Sequence, residues 1–206
     1  MKIAGEAVYV DATGKKHSIE GIGSLPDNND LQSLNVTGEF SFDEISCDEM
    51  KISGSCVGKS LTAKNISAEG TFEVDAVKVE GRFKLSGSAD AENFIAKEII
   101  MESRGGSIGS IKCDKLKIFH GEIHEFGSSI LSRIFGDKST HNNPRVRIEN
   151  IDAETVHLEN CAVVEVKCKD AFIGANCVID KLHVSGECKV AEDSKVGETI
   201  RTNPDV

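Results

Sequence analysis

Tryptophan is missing from this chain, tyrosine occurs once and proline three times in 206 residues. Without large aromatics, an interior must be filled by Val, Ile, Leu, Ala, Cys and Phe. That filling suits the narrow bore of a β-solenoid better than a thick globular core. Basic charge is also short: 24 Lys and Arg against 34 Asp and Glu leave a net charge of −10. Nucleic-acid affinity rests on Lys and Arg displacing counterions, so nucleic acid is set aside as a partner. No Cys-x-x-Cys pair occurs among the seven cysteines, which removes the zinc-ribbon signature. No apolar run near Met1-Lys-Ile is long enough for a signal peptide or a membrane span. Gly-x-Ser-x-Gly followed by a helix is absent too, and Gly105-Gly-Ser-Ile-Gly109 is not followed by Lys-Ser/Thr. It reads as a corner or bulge, not a phosphate cradle.

What is present is a short cassette of apolar, any, apolar, any, glycine. It runs Leu34-Asn-Val36-Thr-Gly38, Met50-Lys-Ile52-Ser-Gly54, Ile66-Ser-Ala68-Glu-Gly70 and Val77-Lys-Val79-Glu-Gly81, and returns as Leu182-His-Val184-Ser-Gly186. The first three glycines are 16 apart and the fourth follows after 11. A period of that length is too short for a helical hairpin and fits one coil of strands. Phe40-Ser-Phe42, Phe72-Glu-Val74 and Phe83-Lys-Leu85 each follow a cassette glycine by two residues and keep the alternation of a strand with one buried face.

The organisation read from these patterns has five parts. Residues 1–33 are a lead-in strand and linker, or a cap. Residues 34–118 are β-helix rungs. Residues 119–147 are an insertion with a short amphipathic helix and a polar loop, residues 148–200 are further rungs, and 201–206 is a frayed tail. On the order of seven or eight rungs would make a rod roughly 35–40 Å long. The fold class is therefore all-β, a parallel β-helix or solenoid with short rungs and one helical or loop insertion.

In the insertion, Phe126, Ile130, Leu131, Ile134 and Phe135 recur at helical spacing on one stripe. Five large apolar residues on one face need cover. They are the candidate lid over the solenoid or self-association surface, with a membrane surface as a third option.

Most of the cysteines Cys47, Cys56, Cys113, Cys161, Cys168, Cys177 and Cys188 sit where inward Val could sit, and read as buried free thiols compatible with a reducing cytoplasm. His120 and His124, with Glu122 and Glu125, have a spacing that could hold a metal on a helix, but a solvated polar face is the stronger reading and no metal site is assigned. His157 and His183 alternate with apolar neighbours and should point outward. Asp43-Glu44, Asp48-Glu49 and Glu192-Asp193 read as solvated corners.

Ile52-Ser-Gly54-Ser, the repeated cassettes, Ile151-Asp-Ala-Glu-Thr-Val-His-Leu-Glu-Asn160 and Phe172-Ile-Gly-Ala-Asn-Cys-Val-Ile-Asp180 resemble bactofilins, a bacterial polymer-forming cytoskeletal family, over roughly residues 34–200. The resemblance implies a right-handed parallel β-helix that self-associates into a homo-oligomer or polymer. It implies a cytoplasmic scaffold role, with a membrane surface or another protein as further partner, and no catalysis or cofactor. The enzymatic alternative is a left-handed hexapeptide-repeat acyltransferase or carbonic anhydrase. It rests on Ile173-Gly-Ala-Asn-Cys-Val-Ile179, which is similar to one hexapeptide coil.

Overall fold

The structure, a computed structural model, describes residues 2–7, 16–25, 30–120 and 144–202. Among them every regular element is a strand: β1 (Lys2–Ala7), β2 (Lys16–Leu25), β3 (Asp30–Phe119), β4 (Val146–Leu158), β5 (Cys161–Ile173), β6 (Val178–Val184), β7 (Cys188–Val190) and β8 (Lys195–Arg201). β3 is a 90-residue extended ribbon that winds through several coils. All pairings between elements are parallel, and they run in the order β1-β2-β3-β4-β5-β6-β8, with β7 on β5. The result is a β-solenoid of about 9 turns. At about 4.8 Å per turn it is roughly 40 Å long.

Each coil has three flats, and each flat turns two side chains inward. In one coil these are Phe72 and Val74, then Val77 and Val79, then Phe83 and Leu85, all buried. After the insertion the same places are held by Val146 and Ile148, Ile151 and Ala153, and Val156 and Leu158. Period-two alternation puts the intervening polar residues outside, and a corner interrupts it before it can extend into a long strand.

A coil consumes 15 to 17 residues: Val146 pairs with Cys161, Ala162 with Val178, and Gly21 with Gly38. Ile173 and Ile179 are both buried, on adjacent flats across the corner at Asn176. Their six-residue spacing is one corner step, not the period of the coil.

Two corners carry most of the sequence punctuation. At the first, Gly21, Gly38, Gly54, Gly70 and Gly87 stack, each with positive φ. Gly54 has φ +135°, and a Cβ there would run into the Gly38 carbonyl oxygen. Only glycine lets successive backbones approach this closely. The ladder passes from Gly70 to Gly87, so its next cassette is Phe83-Lys-Leu85-Ser-Gly87, which the spacing through Gly81 had missed. The lead-in also joins: Lys16–Leu25 lies in register on Ser33–Phe42, with buried His17 and Ile19 under Leu34 and Val36. Counting rungs only from residue 34 therefore fell short.

Gly81 and Gly186 belong to the second corner. There Asn65 Oδ1 accepts the Arg82 N–H at 2.9 Å, and Asp170 Oδ1 accepts the Glu187 N–H at 2.8 Å. The short polar side chain of one coil closes the turn of the next, and a Cβ on either glycine would press on it.

The insertion leaves from the first corner. Ile118 pairs with Leu158 and Val146 with Cys161, so the ladder resumes in register on either side of it. Phe119 still belongs to β3, and Val146 and Arg147 already belong to β4. The interruption is thus shorter than 119–147. Gly105 and Gly106, both with positive φ, form the corner one coil earlier, as expected of that glycine-rich stretch. Beyond the insertion the corner is made by Asn160 and Asn176, each at φ 55°, with Asn176 Nδ2 donating to Asn160 Oδ1 at 2.8 Å. Arg201, expected in the tail, is the last residue of β8.

Candidate functional site

The five stripe residues of the insertion, Phe126, Ile130, Leu131, Ile134 and Phe135, lie outside the described residues, as do Glu122, His124 and Glu125. Of the metal option only His120 is placed, its Nδ1 3.3 Å from the Ser103 carbonyl oxygen. No group of three or more His, Cys, Asp or Glu fit to hold a metal occurs among the described residues. No helix among them is long and apolar enough to cross a membrane.

All seven cysteines are free thiols. Cys47, Cys56, Cys113, Cys161 and Cys177 are buried, whereas Cys168 and Cys188 are half-buried against the core. Burial, then the charges of Asp48 and Glu49, pushes Cys47 up to about 12; burial does the same to Cys56. Burial lifts Cys113 and Cys168 to about 12 as well, helped by Asp114 at the first and Cys188 at the second. Cys161 is held well above its ordinary value by its hydrogen bond with Cys177 and by burial. These thiols stay protonated at neutral pH and serve as small hydrophobes, since the thiolate is the nucleophile and metal ligand.

His157 and His183 do point outward. His157 lies against Phe172 of the next coil, rings stacked at 4.5 Å. His183 Nε2 is 3.0 Å from a Glu165 carboxylate oxygen. The acidic pairs hold corners: Asp43 bridges to Lys59 at 2.6 Å, Asp48 to Lys64 at 2.8 Å, and Glu49 accepts from Asn65 Nδ2 at 2.8 Å.

The outward columns differ in charge, and the middle column of the third flat holds no carboxylate among the described residues. The third flat carries Met50, Ile66 and Phe83 inward; the residues after them, Lys51, Ser67 and Lys84, each precede a ladder glycine by three and stack outward. Higher on the same flat come Ile100, then the paired column Lys117, His157, Phe172 and Lys189. None of these is acidic, in a chain with 34 Asp and Glu. The corresponding column of the first flat includes Glu73 and Asp90, whereas that of the second carries Lys78, Lys112 and Lys167 with the single carboxylate Asp152.

This flat is also grooved. A groove of about 700 Å³ is lined by Lys51, Ser67, Arg82, Lys84, Lys97 and Lys115 together with Glu49, Glu98 and Asp114. A second, of about 490 Å³, is lined by Lys117, Phe119, His157, Phe172 and Lys189, with Glu159 beside them. A smaller cleft holding Ile100, Lys115, Lys117 and His157 joins the two. Lys117 Nζ sits 5.0 Å above the Phe119 ring and Lys189 Nζ 5.5 Å above Phe172. Sequence reasoning did not find this surface. Its signal, a basic or neutral residue between two apolar ones, becomes a column only once the coils are aligned.

The ends of the stack form a second candidate surface. β1 pairs with β2 alone and β8 with β6 alone, so one hydrogen-bonding edge of each has no strand beside it among the described residues. In the last coil Val190 is 43% exposed.

Compared with known proteins, the chain matches no family model, no curated protein and no solved structure.

Proposed function

We propose that this protein is a non-enzymatic scaffold, a β-solenoid of bactofilin-like cytoskeletal type that assembles end to end. The observation that carries the reading is the pair of strand edges, on β1 and β8, with no strand beside them among the described residues. All strands run parallel, so the edge of β8 has the polarity to continue onto the β1 edge of another copy. Such a head-to-tail contact is heterologous and does not close on itself, which makes open polymers. Exposed strand edges template further pairing unless they are covered or charged. The half-open apolar pair Cys188 and Val190 adds a surface that a further coil would bury. The resemblance over residues 34–200 points the same way. A membrane surface or a second protein is the partner that the insertion stripe would serve, and that part of the reading stands on the sequence pattern alone.

Negative-stain microscopy and sedimentation across concentration and salt test the assembly. Rods lengthening with concentration are expected, and Val190→Glu should shorten them while the thermal melt of the monomer barely moves. A chain that stays monomeric throughout, or rods indifferent to Val190→Glu, would overturn the reading.

A further inference from the structure

Two of the buried thiols are stacked on each other near one end of the solenoid. We propose that Cys161 and Cys177 form a thiol–disulfide switch, closed by a peroxide, that staples two neighbouring coils together.

The register brings the pair together. Ala162 pairs with Val178, so Cys161 and Cys177, one step earlier on each coil, share an inward column. That column runs from Val146 through the two cysteines to Ser194. Paired strands lie about 4.8 Å apart, inside the roughly 4.4–6.8 Å of Cα separation that a disulfide spans. Both side chains are buried, and their sulfurs converge. Cys161 Sγ is 3.2 Å from the Glu159 carbonyl oxygen, and Cys177 Sγ reaches back to the adjacent Leu158 carbonyl oxygen at 3.3 Å. Three other cysteines meet no thiol in their columns: Cys113 pairs with Ala153, Cys168 with Ala153 and Val184, and Cys188 with Ala171.

The surroundings divide the labour between the two thiols. The hydrogen bond from Cys161, joined by the Ser194 hydroxyl, holds Cys177 below its ordinary value against the opposing effect of burial. Cys177 therefore ionises first, while Cys161 keeps its proton. The Cys177 thiolate attacks one oxygen of hydrogen peroxide; the O–O bond breaks and hydroxide leaves, giving a sulfenic acid. The Cys161 sulfur then attacks the Cys177 sulfur. The S–O bond breaks, and the hydroxyl departs with the Cys161 proton as water. The hydroxide takes up the proton that Cys177 gave off. Two thiols and one peroxide thus become one disulfide and two waters; sulfur is oxidised and the peroxide oxygens are reduced.

The way in is the turn at 191–194, which lies over Cys177. The Cys177 N–H donates to Ser194 Oγ at 2.8 Å, and that hydroxyl donates to the Gly174 carbonyl oxygen at 2.6 Å. The turn leads into β8, whose one neighbour among the described residues is β6. A terminal coil contacts a single neighbour and opens more readily than a central one, so a small oxidant reaches Cys177 by local opening.

The switch is tested on the full-length protein by titration with hydrogen peroxide. Remaining thiols are alkylated in denaturant, and non-reduced tryptic peptides are read by mass spectrometry. Trypsin separates residues 148–167, with Cys161, from residues 170–181, with Cys177. A link between these peptides within one chain is expected as the main product, and dithiothreitol should remove it. Closing this short loop should raise the thermal midpoint by about 3 °C or more. The gain should vanish in Cys177→Ala and in Cys161→Ala, once circular dichroism shows each to be folded. It should persist in Cys168→Ser with Cys188→Ser. In Cys161→Ala the sulfenic acid at Cys177 has no resolving thiol and should be trapped by dimedone. Mapping of the unmutated chain decides the matter even where a variant fails to fold. No link between Cys161 and Cys177 while the protein stays folded would overturn the proposal. So would a main link at Cys168 and Cys188, a link between two copies, or a link that leaves the midpoint unchanged.

Discussion

The coils before the insertion and the coils after it solve the same two problems with different residues. Before it, the tight corner is a ladder of glycines and the core holds Phe40, Phe42, Phe72, Phe83 and Phe94. Phe83 packs edge-on to Phe72 at 5.2 Å and to Phe94 at 4.6 Å. After it, the corner is Asn160 on Asn176, and the core is Val, Ile, Leu, Ala and Cys. The one later phenylalanine among the described residues, Phe172, faces outward. A left-handed corner can thus be stabilised either by removing the Cβ or by a short side chain that tolerates the conformation and hydrogen-bonds along the stack. The bore likewise need not hold rings, provided its inward residues match in volume. The second corner is common to both halves: Asn65 and Asp170 each accept from the next coil's backbone.

The largest effect should come from exchanging the corner solutions. Gly54→Val places a branched Cβ at φ +135° against the Gly38 carbonyl and should cost on the order of 4 kcal/mol or more. Asn176→Gly gives up the part-buried hydrogen bond to Asn160 but relieves its own backbone, so it should change stability by about 1 kcal/mol or less. Urea melts of the two variants decide the matter; a Gly54→Val protein as stable as the parent would break the ladder assignment.

The core comparison comes next. Phe83→Ala removes a fully buried ring and should cost about 3–5 kcal/mol. Val166→Ala, equally buried, should cost about 2 kcal/mol. Equal midpoint shifts in denaturant would mean that the aromatic half is no better packed than the other.

Thiols give an effect seen only at high pH, and it is shared by both halves. The folded values of Cys47, Cys56, Cys113 and Cys168 lie near 12, above the ordinary value of 9.0. The folded state therefore holds protons that the unfolded state releases, so stability is complete below pH 9 and falls as pH rises toward 12. Chemical denaturation at successive pH values should record that decline. Replacing Cys56 by Ala, at some cost in packing, should shallow it; a slope unchanged by Cys56→Ala would refute the burial assignment.

Much of the fold was legible before any register was known. The alternation in Val77-Lys-Val79 and Phe83-Lys-Leu85 marks inside and outside, because a strand cannot do otherwise with a period of two. Glycine, Asn and Asp mark the corners. Two readings slipped because register is not local. Gly81 looked like a member of the ladder, since both corners use a glycine after an apolar pair. His17 hid the cassette of β2, because a buried histidine occupies the place of an apolar residue there. The half-exposure of Cys188 likewise follows from its place in the last coil, which no pattern within Cys188-Lys-Val190 reveals.

By itself, the sequence determined that this chain is a coil of short parallel strands, which side chains face inward, and where the stack is interrupted. These follow from nearest-neighbour chemistry: alternation, branching and the backbone freedom of glycine. Only the tertiary structure decided which coil lies on which, and so which outward residues become neighbours. Lys117 meets His157 from 40 positions away, and the lysine column assembles from residues that are strangers in sequence. Parallel pairing closes a long loop before any contact forms, and a slip of one residue would turn each side chain to the other face. The lysine column is therefore a property of the stack, built from residues that carry no motif until they are aligned.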